Sequence, residues 1–268
     1  MNLARSIRWS LLALPLFTAS AALAQAAPDE PKETAISVPV PSPAGFMLAW
    51  RPMVLTYRLD TGGGSKFGSD KFQPLRGLAR YTVMAREGAP FFGRFELEGG
   101  QFQTDQQNQF FGSNGYDFTG RIVGGASTRL SPGVLFIAGV GVISRYTHGA
   151  ANGGSPTIGI FGAVASAELE WRIYPILTLG FSAEAAVAPL PYGADKNLGD
   201  LSDASEIRGR IQLSLDVAVN TSVEVGYDFT RWHSTFVSST ILGNPNPDQA
   251  LVLEAREYAF TFGVRLRL

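Results

Sequence analysis

The last twelve residues, 257–268, read EYAFTFGVRLRL, and this stretch decides the fold. Every second residue in it is apolar: Tyr258, Phe260, Phe262, Val264, Leu266 and Leu268. The residues between them are small or charged, and a period of two is that of a β-strand with one apolar and one polar face. Lipid on one side and a polar interior on the other would satisfy both faces. Such a strand must belong to a closed barrel, because an open edge would leave backbone groups unpaired in hydrocarbon.

Nine further segments have a length that could cross a membrane, since a tilted strand needs about 9–11 residues. Most of them alternate in the same way, but the segment 134–146 is apolar on both faces up to Arg145. They are residues 47–59, 75–86, 91–103, 116–130, 134–146, 158–173, 176–187, 206–219 and 223–232. Arg51 and Pro52 interrupt the first segment, which predicts either a bulge or a strand that starts after the proline. The sequence therefore predicts an all-β, transmembrane, antiparallel up-and-down barrel of ten strands, with eight or twelve strands as the alternatives.

The connections between these segments are of two kinds that alternate along the chain. Short turns are predicted at 87–90, 131–133, 174–175 and 220–221, and longer, polar, Gly-rich connections at 60–74, 104–115, 147–157, 188–205 and 235–251. Outer-membrane barrels alternate short periplasmic turns with longer outside loops. The alternation indicates an even strand number with both chain ends in the periplasm.

The N-terminus has the pattern of a secretory signal. Arg5 and Arg8 precede an apolar stretch at 11–23, and small residues at Ala24 and Ala26 offer cleavage sites near 24 or 26. We therefore divide the chain into a signal peptide at 1–24, a periplasmic segment at 25–44 and a barrel at 45–268. The segment at 25–44 carries five prolines, which favour a stiff extended lead.

Composition excludes several classes of function. The net charge of −1 gives no field that would attract nucleic acid. The absence of cysteine excludes disulfides, thiolate nucleophiles, Cys-type metal sites and attachment of a lipid through cysteine. We predict no cofactor and no metal site, and we expect the protein to be a monomer.

From about Gly45 onward the chain resembles a small, porin-like bacterial outer-membrane β-barrel. Its last strand is similar to the C-terminal assembly signal of that class at Tyr258, Phe260, Phe262, Val264 and Leu266, but it ends in Leu268 where an aromatic residue is usual. The resemblance implies the outer membrane of a Gram-negative bacterium. It also implies contact with the barrel-assembly machinery, with outer-membrane lipid and with lipopolysaccharide. Barrels of this architecture host many functions.

Charged residues on the polar faces are expected to point into the lumen. An arginine or lysine on the lipid face at mid-bilayer costs about 2–4 kcal/mol, so the charged side must face inward. The predicted lumen network consists of Arg76, Arg80, Arg94, Glu96, Glu98, Arg121, Glu168, Glu170, Arg172, Glu184, Glu206, Arg208, Arg210, Asp216, Glu224 and Asp228. Two interpretations are open: a plug of buried ion pairs, or a narrow water-filled passage lined by charges.

Aromatic residues near strand ends are typical of the girdles at membrane interfaces. The predicted girdle residues are Tyr146, Trp171, Tyr174, Tyr227 and Trp232. Only two histidines could act as a base. His148 is predicted in a loop, whereas His233 would point away from its neighbour Ser234 and from Asp228, five residues earlier. We predict no catalytic residue.

Three functions remain open on these grounds. The first is a small structural or surface-interaction barrel whose lumen is filled with charges and whose loops meet other molecules. The second is a narrow solute channel, and the third is an outer-membrane hydrolase.

Overall fold

The computed structural model describes residues 40–60, 66–85, 90–103, 114–150, 158–191, 200–237 and 250–268. The predicted signal peptide and most of the proline-rich segment, residues 1–39, lie outside the described residues. In the described part no helix is long and apolar enough to cross a membrane. The β-segments are β1 (Gly45–Trp50), β2 (Met53–Asp60), β3 (Lys66–Gln73), β4 (Arg76–Met84), β5 (Phe91–Gln103), β6 (Asn114–Ser131), β7 (Val134–Ala150), β8 (Ile158–Tyr174), β9 (Leu177–Pro191), β10 (Asp200–Ala218), β11 (Thr221–Val237) and β12 (Leu251–Arg267).

These segments form one closed antiparallel sheet. From β4 to β12 each segment pairs with the next in chain order, and β12 pairs with both β1 and β2, which closes the ring. β1 and β2 are two parts of one barrel strand, and β3 and β4 are two parts of the next. The twelve segments therefore build ten barrel strands with up-and-down connections, which confirms the predicted fold.

At Arg51 and Pro52 the first strand neither bulges nor starts after the proline, which were the two predicted arrangements. β1 and β2 pair with β12 in one continuous register, so the strand begins at Gly45 and has no bulge on this side. Pro52 has no N–H to give to the ladder, but its carbonyl accepts from Phe260 N at 3.0 Å. The extra residue lies in the neighbouring strand, where the pairing shifts by one across Pro74 and Leu75.

The second strand begins earlier than predicted. The interval 60–74, expected to be a loop, contains β3, which pairs with β2 over its whole length. Phe67 and Phe72 are five residues apart, so the two aromatic residues of this segment do not fit a period of two, and the sequence pattern did not predict a strand here. Several other strands also run past their predicted ends, and β7 reaches Ala150, so that His148 lies in a strand and not in a loop.

The two ends of the barrel differ. At one, here called the turn end, tight turns such as Pro132–Gly133 join the strands, and β1 begins there. The opposite end is called the loop end. The outer surface is apolar over the middle of the strands, with side chains such as Val140, Ile211 and Phe260 more than half exposed. The inner face holds the charged residues and two apolar clusters.

Gly45 stands at the start of the closing pair of strands, opposite Arg267. Its φ of +148° is one that L side chains rarely adopt, and a Cβ there would overlap the carbonyl oxygen of Leu266.

We therefore expect Gly45→Ala to lower the free energy of unfolding by roughly 1–3 kcal/mol. Urea unfolding of the refolded protein in lipid vesicles measures this loss. Gly77→Ala is the matched control, because Gly77 lies opposite Trp50 in the adjacent pairing and a Cβ there meets nothing within 4 Å. Equal stability of the two variants would contradict the prediction.

Candidate functional site

The charged residues predicted for the lumen all lie on the inner face of the barrel. Most have less than 9% of their surface exposed, and the side chains of Glu184 and Asp216 reach 12%. This placement follows from the period of two: on each strand the charges occupy alternate positions, and the apolar neighbours occupy the outward ones.

Glu96 on β5 is the centre of the network. Its carboxylate lies 2.7 Å from Arg80 Nη2, 3.2 Å from Arg121 Nη1 and 2.7 Å from Arg208 Nη1. Glu98, two residues on, accepts from Arg76 Nε at 2.7 Å and is also paired with Arg51. Three guanidinium groups therefore share this carboxylate, which is 2% exposed, and two of them also pair with other acids.

Several of these ion pairs cross the lumen. In a ring of ten strands, β5 and β10 lie on opposite walls, so the Arg208–Glu96 pair spans the full width of the barrel. Arg145 on β7 and Glu257 on β12 are likewise five strands apart and form an ion pair. The Arg121–Glu206 contact of 2.7 Å joins strands four apart. The interior is bridged from wall to wall.

Further ion pairs extend the network towards the turn end. Arg94 Nη2 donates to Glu168 Oε2 at 3.0 Å, and a second contact between these residues completes a two-pronged pair. Asp216 accepts from Arg267 at 2.6 Å and lies 2.8 Å from Arg172. Arg265 bridges two acids, Glu170 and Glu224.

Next to these pairs the remaining space is small. One cavity of about 10 Å³ is lined by residues that include Pro43, Arg94 and Arg265, and another of about 10 Å³ lies beside Glu168. Such a volume holds about one water molecule. The charges in this part of the lumen are therefore compensated by one another. Removing one member would leave its partner charged and buried, which is the costly case for buried ion pairs.

The network contains members that the sequence prediction omitted. They are Arg51, Asp117, Arg145, Glu257, Arg265 and Arg267. Four of them stand on the polar side of an alternating strand, so the period of two could have identified them. Arg145 follows a stretch of β7 that is apolar on both faces. Arg51 could not have been found in this way, because the adjacent Pro52 interrupts its strand.

Two of the predicted girdle residues are placed differently. Trp232 is 1% exposed and faces inward, where Arg145 lies 5.0 Å from the centre of its ring. The reason is parity, because Trp232 is an even number of residues from the inward-facing Asp228. Tyr227 faces outward but in the middle third of β11, beside Phe260. Tyr146, Trp171 and Tyr174 face outward within five residues of a strand end.

The histidines lie outside the lumen. His233 and Ser234 are on opposite faces of β11, and Asp228 is on the inner face with Ser234. His233 contacts Thr235 Oγ1 at 3.2 Å, and its Nδ1 lies 3.8 Å from Glu254. His148 packs on Tyr116, with 5.0 Å between ring centres. Among the described residues no cluster of three acids or histidines could hold a metal ion.

The interior has an apolar layer towards each end. At the loop end, Trp232 packs with Phe236, Leu253 and Ile160. The other cluster, which includes Phe92 and Leu135 near the turn end, also contains Val40 from the segment ahead of β1. Val40 is 1% exposed, its N–H donates to Pro132 O at 3.1 Å, and its carbonyl accepts from Arg129 at 3.2 Å. The end of the proline-rich segment thus lies against the inner wall.

An apolar outer surface and an interior closed by ion pairs define a membrane-spanning β-barrel with a filled lumen. The chain is similar in fold to the outer-membrane protease OmpT of Escherichia coli, at 11% identity, over 84% of this chain and 95% of that one, with a TM-score of 0.46. It is also similar to the translocator domain of the autotransporter NalP from Neisseria meningitidis (10% identity, 85% and 90% covered, TM-score 0.39) and to Neisserial surface protein A (12%, 84% and 98%, 0.28). No protein-family model and no curated protein sequence matches the chain.

Proposed function

We propose that this chain is a small outer-membrane barrel with a sealed interior and a structural or surface-interaction role. Three features support the proposal: an apolar outer surface, the sequence pattern of a secretory signal, and tight turns that, among the described residues, all lie at one end. In this orientation the turn end faces the periplasm and the loop end faces outward. The residues that meet other molecules would then be those of the loop end.

One observation carries the choice between a sealed barrel and a channel. The Arg208–Glu96 and Arg145–Glu257 pairs join opposite walls, so an ion passing along the axis would have to break them. Breaking a buried pair without replacing its partner costs about 3–5 kcal/mol. A lumen in which each passing ion has to break such pairs does not conduct steadily.

We expect the refolded protein to give no stable conductance steps in a planar bilayer. The matched variant is Arg121→Ala with Arg208→Ala, which removes two guanidinium groups from the centre of the lumen. We expect this variant to give small steps, provided that it still folds, as judged by its gel mobility before and after heating. Stable, ion-selective steps from the unaltered protein would overturn the sealed interior and favour the solute channel.

The outward-facing residues of β12 suit the role in barrel assembly that the sequence predicts for the last strand. Phe260, Phe262, Val264 and Leu266 are each 43–55% exposed and form one apolar stripe at the seam where the barrel closes. With Tyr258 and Leu268 they are proposed to be the segment that the barrel-assembly machinery contacts. A hydrolase is not part of the proposal, because His233 and Ser234 point to opposite sides of β11.

A further inference from the structure

Among the described side chains of the strands, the outward-facing charges are gathered on one side of the loop end. Where the structure describes the side chains of the strands, the outward-facing arginines are Arg58 on β2, Arg256 on β12 and Arg231 on β11. These three strands are adjacent in the sheet. The remaining described arginines belong to the inner face.

Two of these arginines form a cross-strand pair. Arg231 and Arg256 are register partners on the same outer face, an arrangement of like charges that destabilises a sheet unless an anion offsets it. Glu254 lies 3.0 Å from Arg231 Nη2 and opposite Arg58. Arg231 and Arg256 thus face one another on the outer surface, with Glu254 as the acid beside Arg231.

The Arg231–Arg256 pair also lies at the edge of the apolar outer surface that is nearer the loop end. In the next row towards the turn end, Phe229 and Tyr258 are register partners whose ring centres are 5.4 Å apart. Asp203 lies four residues beyond Arg231 towards the loop end, about 13 Å along the strands, and Asp60 lies two residues beyond Arg58. A lipid phosphate bound between Arg231 and Arg256 would therefore have its acyl chains against the aromatic rings and would be clear of Asp203.

We propose that Arg231 and Arg256, with Arg58 beside them, bind the phosphate of a lipid headgroup in the surrounding leaflet. The inference rests on the proposed function, because the outward orientation of the loop end makes this lipid the phosphorylated glycolipid of the outer leaflet, lipopolysaccharide. Guanidinium groups suit this ligand, since their planar donors bind phosphate oxygens in pairs. Glu254 holds Arg231 in place and competes with the phosphate for it.

Native mass spectrometry of the full mature chain in a non-ionic detergent tests the site. The added probes are lipid A with two phosphates, phosphatidylethanolamine and inorganic phosphate. We expect lipid A to bind, and Arg231→Gln with Arg256→Gln to weaken its binding about tenfold or more. Glu254→Gln, which frees Arg231 from its competitor, is expected to bind at least as tightly as the unaltered protein. Asp203→Asn is the control for a charge change at the same end, and it should leave binding unchanged.

Three results would overturn the site. They are unaltered lipid A binding in the double variant, equal binding of phosphatidylethanolamine, and displacement of lipid A by inorganic phosphate at millimolar concentration. Glu254→Gln keeps the test decisive if the double variant does not fold, because weaker binding by this variant contradicts the assigned competition. Failure here is separate from failure of the sealed interior, which only the conductance measurement reports.

Discussion

Glu96→Gln is expected to lower the free energy of unfolding by about 3–5 kcal/mol, the cost of leaving buried charge without its partner. The substitution keeps the shape of the side chain but removes the negative charge that Arg80, Arg121 and Arg208 share. Because Glu96 is 2% exposed, water cannot readily replace the lost charge. Urea unfolding in lipid vesicles, followed by tryptophan fluorescence, gives the measurement.

Glu254→Gln is the matched control for this loss. Its partner Arg231 is 50% exposed, and surface ion pairs contribute at most about 1 kcal/mol. Adding Arg80→Gln to Glu96→Gln removes one of the unpaired cations and should recover part of the stability. If Glu96→Gln were as stable as Glu254→Gln, the interior would be hydrated and the sealed barrel would be wrong.

Val225→Arg is expected to destabilise the folded barrel in lipid by about 2–4 kcal/mol, the cost of an arginine on the lipid face near the bilayer midplane. Val225 is 46% exposed on the outer face of β11, opposite the outward-facing Phe262 and Leu213. The outward residues of β11 from Val223 to Phe229 are apolar, so this position lies within the band. The same vesicle unfolding experiment reports the change.

Thr235→Arg is the control for the depth of the substituted residue in the membrane. Thr235 faces outward on the same strand but lies beyond Arg231, at the polar rim. The cost of an outward arginine falls to about 0–1 kcal/mol near the interface. Equal effects at Val225 and Thr235 would show that no hydrocarbon surrounds this face and would contradict the membrane-spanning assignment.

The fold was predictable because a single rule, alternation with a period of two, governs both faces of the strands. The rule, together with the spacing of the turns, located all ten barrel strands and the inward direction of the charges, but it failed where its assumption failed. In β3, Phe67 and Phe72 are out of phase, and at Arg51 a proline interrupts the ladder. Polar strand ends such as those of β7 and β11 were also cut short, because pairing continues beyond the apolar band.

The candidate sites were only partly predictable. Facing direction follows from position along one strand, but the partner of each charge depends on how the sheet closes. Arg145 and Glu257 are 112 residues apart in sequence, and only the completed ring places them opposite each other. Trp232 lies near a strand end, as girdle residues do, but it is an even number of residues from Asp228 and therefore faces inward.

The wall-to-wall ion pairs bear on the way the chain enters the membrane. β1 and β2 complete the barrel by pairing with β12, which is the last strand along the chain. Until that seam forms, charges such as Arg145 lack the opposite wall that neutralises them, and exposing them to hydrocarbon would be costly. Ring closure therefore also neutralises buried charges such as Arg145, and we expect a chain without its last strand to be unstable within the bilayer.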